Sequence, residues 1–275
     1  MNKVFWPGLL LALLAVVLPA GEIRYYDVEI VLFENLDRAA REAEQWPASV
    51  ELEQEENTAV LGERFTGTLP EGVDPRNAFR LLPAKRLQLN DQARKIEESP
   101  SRRVLLHTAW RQPGLSRENA INVYFRKAIP AIPAEPAEAT ATAADPGTAT
   151  APPPSRYVDP EAGEIEGLIK VILSRYLHVT TDIVFRPQPA TPPADPFFAG
   201  QGEFGADREP IEPETATGFE ALPQPVVYRQ HQTRRRMRSR ELHYLDNPVL
   251  GLLVLITPYE APLAADKAGA KNQGK

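Results

Sequence analysis

Five of the seven residues from Arg234 to Arg240 are arginines. Arg234, Arg236, Arg238 and Arg240 are spaced by two, so on a strand they share one face, with Arg235, Met237 and Ser239 on the other. A guanidinium is a planar fork that matches a carboxylate through two parallel hydrogen bonds. One reading of the row is therefore recognition of carboxylate-bearing ligands. The other is cross-strand pairing, since the chain holds 37 acidic residues and opposite charges on neighbouring strands attract. Both readings stand. Saccharides favour flat aromatic faces beside hydrogen-bond donors. Trp110, Tyr176 and Tyr244 are candidates for that role, with Arg111 and Arg175 adjoining the first two. Core packing is the competing role for Trp110 and Tyr176, and hairpin packing for Tyr244.

Catalytic constellations are missing. The four histidines, His107, His178, His231 and His243, fit neither the His-Glu-x-x-His pattern nor another close metal spacing. His178 and Asp182 are four apart, which helps only on a helix. A zinc site of His178, His243 and Asp246 requires RYLHV (175–179) and ELHYLD (241–246) to be neighbours. Structural histidines bonded to backbone are the better reading, and no metal or other cofactor is expected. Neither Gly-x-Ser-x-Gly nor Ser-x-x-Lys occurs, and no glycine-rich phosphate loop is present. Glu51, Glu53, Glu55 and Glu56 lie in a polar segment and read as a solvated face.

The chain has 275 residues, 43% hydrophobic and 25% charged, as an ordinary globular protein has. It has no cysteine, which excludes disulfides, thiol catalysis and lipidation at a cysteine. Met1–Ala20 reads as a secretory signal: Lys3 gives the positive start, Leu9–Leu18 the apolar centre, and Leu18-Pro19-Ala20 the cleavage site. The apolar run is short for a membrane anchor, so no stable anchor is expected after cleavage. The formal charge is −6; losing Lys3 with the signal makes it −7. An acidic chain is a poor partner for nucleic acid.

The elements that must position these residues are mostly strands. Val226–Pro258 organises the rest: a basic strand, a turn at Asp246-Asn247-Pro248, then an apolar run. In that run Leu250, Leu252, Val254 and Ile256 take one parity and Leu253 and Leu255 the other, as in a strand covered on both faces. The two strands are expected to pair antiparallel. Tyr25–Phe33 reads as a first strand. Arg38–Gln45 reads as a short helix capped by Asp37 and ended by Trp46-Pro47, and Leu89–Ile96 as a second, with Asn90 as its cap. Weak strand signals occur at Ala59–Leu61 and Arg64–Thr68. Arg102–Arg111 and Ile121–Arg126 read as strands joined in a hairpin by Gln112-Pro113-Gly114. Ile165–Arg186 reads as one long or kinked strand, with a helix through Ser174 followed by a strand from Tyr176 as the alternative. The 28 prolines, roughly double the usual share, cluster at 129–160 and 187–225. The expected class is α+β: a mostly antiparallel sheet with long strands, a few short helices and two Pro-rich surface insertions. It divides into a signal (1–20), an N-terminal half (21–128), a linker (129–160), a β-rich C-terminal half (161–258) and a flexible tail (259–275).

RRMRS, ELHYLD and GLLVLITP, in this order, resemble the C-terminal signature of the CsiV-type periplasmic peptidoglycan-binding proteins of Gram-negative bacteria. YYDVEIVLFEN (25–35), LLHTAWRQPG (105–114) and RYLHV (175–179) fit as well. The resemblance brings no catalytic motif. It implies a non-enzymatic, periplasmic, wall-binding protein that supports peptidoglycan synthesis and cell shape. It further implies a protein partner, a lipoprotein activator of a penicillin-binding synthase. The candidate contact residues are then Arg234, Arg236, Arg238, Arg240, Tyr244, Trp110, Arg111, Arg175 and Tyr176. An envelope scaffold that binds only proteins through its Pro-rich segments is the first alternative. A metal-dependent wall hydrolase is the second.

Overall fold

In the computed structural model, residues 23–131, 155–188 and 226–260 are described. The signal reading (1–20), the tail beyond 260 and most of both Pro-rich segments lie outside the described residues.

The first strand, β1 (Tyr25–Asn35), has apolar residues on both parities and is buried along most of its length. It is flanked by β4 (Arg102–Pro113) and β10 (Leu250–Tyr259), with β3 (Arg80–Leu81) and β9 (Leu242–Asp246) at the edges, in the order β3-β4-β1-β10-β9. Every pairing in this sheet is antiparallel. A second five-stranded sheet has the order β2-β5-β6-β7-β8: β2 (Thr58–Val60), β5 (Asn122–Ile129), β6 (Ala162–Leu173), β7 (Leu177–Gln188) and β8 (Tyr228–Met237). β2 pairs parallel with β5, and the rest pair antiparallel. The molecule is thus mainly β, with two sheets where one was expected. In the first sheet the two ends of the chain meet side by side, β1 against β10, and the second sheet follows the order of the sequence.

The two sheets share one apolar core. Val28, Ile30 and Leu32 of β1 and Leu252, Val254 and Ile256 of β10 belong to the same buried cluster as Ile169, Val179, Ile183 and Phe185 of the second sheet. Each such side chain contributes about 1.5–3 kcal/mol by leaving water. Trp110 is at the centre with 0% exposure, its indole donating to Gln112 Oε1 at 2.7 Å.

The outer face of the first sheet is covered by α2 (Asn90–Glu97), whose Ile96 packs with Leu89 on Val31, Phe33 and Leu255. Leu89, not Asn90, occupies the cap position. The entry into the helix is held instead by Glu29, which accepts from the Gln88 and Leu89 amides at 2.8 Å each. On the second sheet, residues 47–57 cross the outer face. The Pro47 carbonyl accepts from Val227, the Val50 carbonyl from Arg186, and Glu55 pairs with Lys170. α1 (Arg38–Glu42) is capped by Asp37, which accepts from the Ala40 amide, and stops short of Gln45. Its Arg41 joins Arg103 on the buried Glu34 carboxylate.

Three connections differ from expectation. β4 and β5 do not form a hairpin: the chain leaves one sheet at Pro113-Gly114 and enters the other. A Cβ at Gly114 would meet Leu173 at 2.7 Å and Tyr26 at 2.8 Å, so this corner needs glycine. Residues 165–186 are neither one strand nor a helix and strand, but the β6–β7 hairpin turning at Ser174-Arg175-Tyr176. The basic strand β8 pairs with β7, not with β10. At the edge of the first sheet Gln232 donates to the Asp246 carbonyl and Asn247 to the Arg229 carbonyl.

Candidate functional site

The arginine row does not remain on one face. Leu177 pairs with Met237 and Val179 with Arg234, so Arg235 and Arg236 together oppose the single residue His178. This is a β-bulge. Arg236 takes φ 58°, in the left-handed region that costs a non-glycine residue energy. β8 ends at Met237, and Arg240, at φ 63°, turns the chain into β9. All four arginines of the row are exposed. Arg240 lies 3.8 Å from Glu260. Among the described residues, Arg234, Arg236 and Arg238 form no ion pair, so cross-strand acids do not account for them.

The bulge and turn carry Arg238 into a cleft of about 490 Å³ at one end of the two sheets. Arg24 and Tyr26 enter from the start of β1, Arg175 and Tyr176 from the β6–β7 turn, and Met237 and Ser239 flank Arg238. Tyr26 and Met237 are buried and form the floor. Tyr176 is exposed at the rim, with the Arg175 guanidinium 5.7 Å from its ring centroid. Among the described residues no acidic side chain lines the cleft, and Arg24, Arg175 and Arg238 have no carboxylate partner. The three guanidinium groups are accordingly free to bind an anion. Arg24 was not singled out from the sequence, because nothing there shows that residue 24 meets residues 175 and 238.

Ser174 in the same turn lies 3.1 Å from His178 Nε2. Proton transfer is within reach, but His178 Nδ1 is buried and unpartnered among the described residues. Among the described residues no acid holds the imidazole in one tautomer. His178 and His243 belong to different sheets, and His243 Nε2 faces the Arg238 carbonyl at 3.2 Å. Their strands are therefore not paired. Among the described residues no group of three histidines or acids could hold a metal ion.

Trp110 and Arg111 are not brought to the cleft. The indole is in the core. Arg111 is 6% exposed; it grips Asp27 through two bonds of 2.6 and 2.9 Å and lies over the Tyr259 ring. Neither offers a face to a ligand.

Tyr244 lies elsewhere, in a groove of about 360 Å³ on the outer face of the first sheet. It is 48% exposed, and its ring is parallel to that of Phe33, 4° apart with centroids at 6.1 Å. Although the ring is half exposed, desolvation pushes the phenol pKa up, and the nearby Asp246 carboxylate adds to this by its charge and a hydrogen bond.

No helix of the described residues is long and apolar enough to cross a membrane. No curated protein and no solved structure gives a significant match to the chain. The model of the family described as "Peptidoglycan-binding protein, CsiV" matches residues 7–259, and the chain belongs to that family.

Proposed function

We propose that this protein is a non-enzymatic, periplasmic peptidoglycan-binding accessory protein. The basic cleft at the end of the sheets is its contact with the carboxylates of the stem peptides. The observation that carries this reading is the convergence of Arg24, Arg175 and Arg238 on a cleft that no acidic side chain lines among the described residues. Stem peptides carry several carboxylates, and a guanidinium binds each through a charge-assisted fork. Tyr176 provides an apolar wall beside them. In this reading the protein supports wall synthesis and cell shape, acting through a lipoprotein activator of a penicillin-binding synthase. That partner follows from the family resemblance.

Sedimentation of the purified protein with insoluble sacculi tests the proposal. The wild type is expected to pellet with the sacculi, less so as salt is raised, because exposed charges are screened within about 10 Å at 0.1 M. Arg175→Glu with Arg238→Glu is expected to remain folded and stay in the supernatant. Equal pelleting of the double variant would remove the cleft from the proposal. Failure of the wild type to pellet would leave the protein-only scaffold.

A further inference from the structure

The groove at Tyr244 differs in chemistry from the basic cleft. Phe33 projects from β1 onto the outer face and lies across Gly251 of β10. A Cβ at Gly251 would fall well inside van der Waals contact with that ring. The missing side chain lets Phe33 lie flat, parallel to Tyr244. Arg102 of β4 places its guanidinium 5.6 Å from the Phe33 centroid. Asp246 is exposed at the end of β9, and neither it nor Arg102 forms an ion pair among the described residues. Asn35 and Asn247 are spent on the rim itself: Asn35 donates to the Pro248 carbonyl, and Asn247 accepts from the Val249 and Leu250 amides. The rim is therefore held rigid; Arg102 and Asp246, with the Tyr244 hydroxyl directed at the Asp246 carboxylate, are the outward-facing polar groups.

We propose that this groove is a saccharide site, taking an N-acetylhexosamine unit of the wall glycan against the Tyr244 ring. A pyranose has an apolar C–H face and an equatorial belt of hydroxyl and acetamido groups. The C–H face matches an exposed aromatic ring. Arg102 donates to ring substituents, and Asp246 accepts from them. The lining holds one arginine and one aspartate, so its net charge is zero. It exerts no pull on the anionic stem peptide, unlike the cleft lined by three arginines. The two sites sit near opposite ends of β1, whose 11 residues span roughly 35 Å at about 3.3 Å per residue. They can therefore hold different parts of one polymer. The proposal rests on the wall-binding reading, and its test separates the two.

Full-length protein is titrated with the tetramer of N-acetylglucosamine and, separately, with a free stem tetrapeptide, by calorimetry and by saturation-transfer NMR. Sacculus pelleting is run in parallel. The tetrasaccharide is expected to bind the wild type and Tyr244→Phe, and to bind Tyr244→Ala and Asp246→Asn at least tenfold more weakly. Arg175→Glu with Arg238→Glu is expected to leave sugar binding unchanged while abolishing stem-peptide binding. Thermal melting establishes that each variant is folded. If the wild type pellets with sacculi but does not bind the tetrasaccharide, the saccharide site is overturned and wall binding stands. If the sugar binds equally well to Tyr244→Ala and Asp246→Asn, the site is misplaced. If neither sacculi nor sugar binds, both readings fall.

Discussion

Glu34 on β1 accepts from Arg103 on β4 at two positions, Nε at 2.9 Å and Nη2 at 2.5 Å, with side chains 0% and 5% exposed. Arg41 of α1 reaches the other carboxylate oxygen. One buried anion thus ties a helix to the central pair of the first sheet. Removing it strands two cations out of water. Glu34→Ala is expected to cost about 3–5 kcal/mol, read as a lowered midpoint in urea denaturation. Replacing all three residues by apolar ones of similar volume should cost far less, because no unpaired charge is left behind.

Gly251 offers a test of the outer face. Any side chain there must displace the Phe33 ring. Gly251→Ala is expected to destabilise by about 1–3 kcal/mol, as overpacking does, and to expose Tyr244 further. Denaturation gives the first quantity. Tyrosine absorbance titration gives the second, since a better-solvated phenol ionises at lower pH.

The bulge at 235–236 separates two neighbouring arginines. Arg238 lines the cleft and Arg236 does not. Arg238→Gln is expected to weaken sacculus binding about tenfold, the loss of one charge-assisted hydrogen bond. Arg236→Gln is expected to change it by less than about twofold. Comparing dissociation constants of the two neutral variants distinguishes a positioned contact from general positive charge.

Asp37 links the α1 cap to the segment after the first Pro-rich stretch. The Ala40 amide holds its carboxyl below the usual aspartate range, and Arg156, at 3.3 Å, lowers it further. A depressed folded-state pKa gives stability that is present above the unfolded value, about 3.9. That stability is lost as pH falls through the folded value. Asp37→Asn keeps a capping oxygen and loses the charge. Its stability is expected to fall less steeply than the wild type's below about pH 4, as followed by circular dichroism across an acid titration.

Much of the fold was legible from local pattern. β1, β4 and β10 announce themselves by apolar residues on both parities, because both faces of the first sheet are covered. The β6–β7 hairpin was hidden by arithmetic. Leu173 pairs with Leu177 across a three-residue turn, so odd-numbered residues face the core before and after it. Ile165, Ile169, Val171, Val179, Ile183 and Phe185 therefore read as one uninterrupted strand, and Ser174-Arg175-Tyr176 contains no glycine or proline to mark the reversal. The opposite error occurred at Gln112-Pro113-Gly114, where a strong turn signal marks passage between sheets. The arginines and Tyr176 were visible as candidates. Their meeting with Arg24 depends on that unmarked turn, and Trp110 was lost to the core because periodicity does not say which covered face is solvent-lined.

β1 pairs with β10 along its whole length, Tyr25 opposite Tyr259. Its other neighbour, β4, cannot by itself satisfy both of its edges. A growing chain consequently carries an unfinished centre until β10 arrives. Loop closure of this span makes folding slow. A chain cut short before Leu250 keeps a bare hydrogen-bonding edge beside Val28, Ile30 and Leu32, which is a template for aggregation.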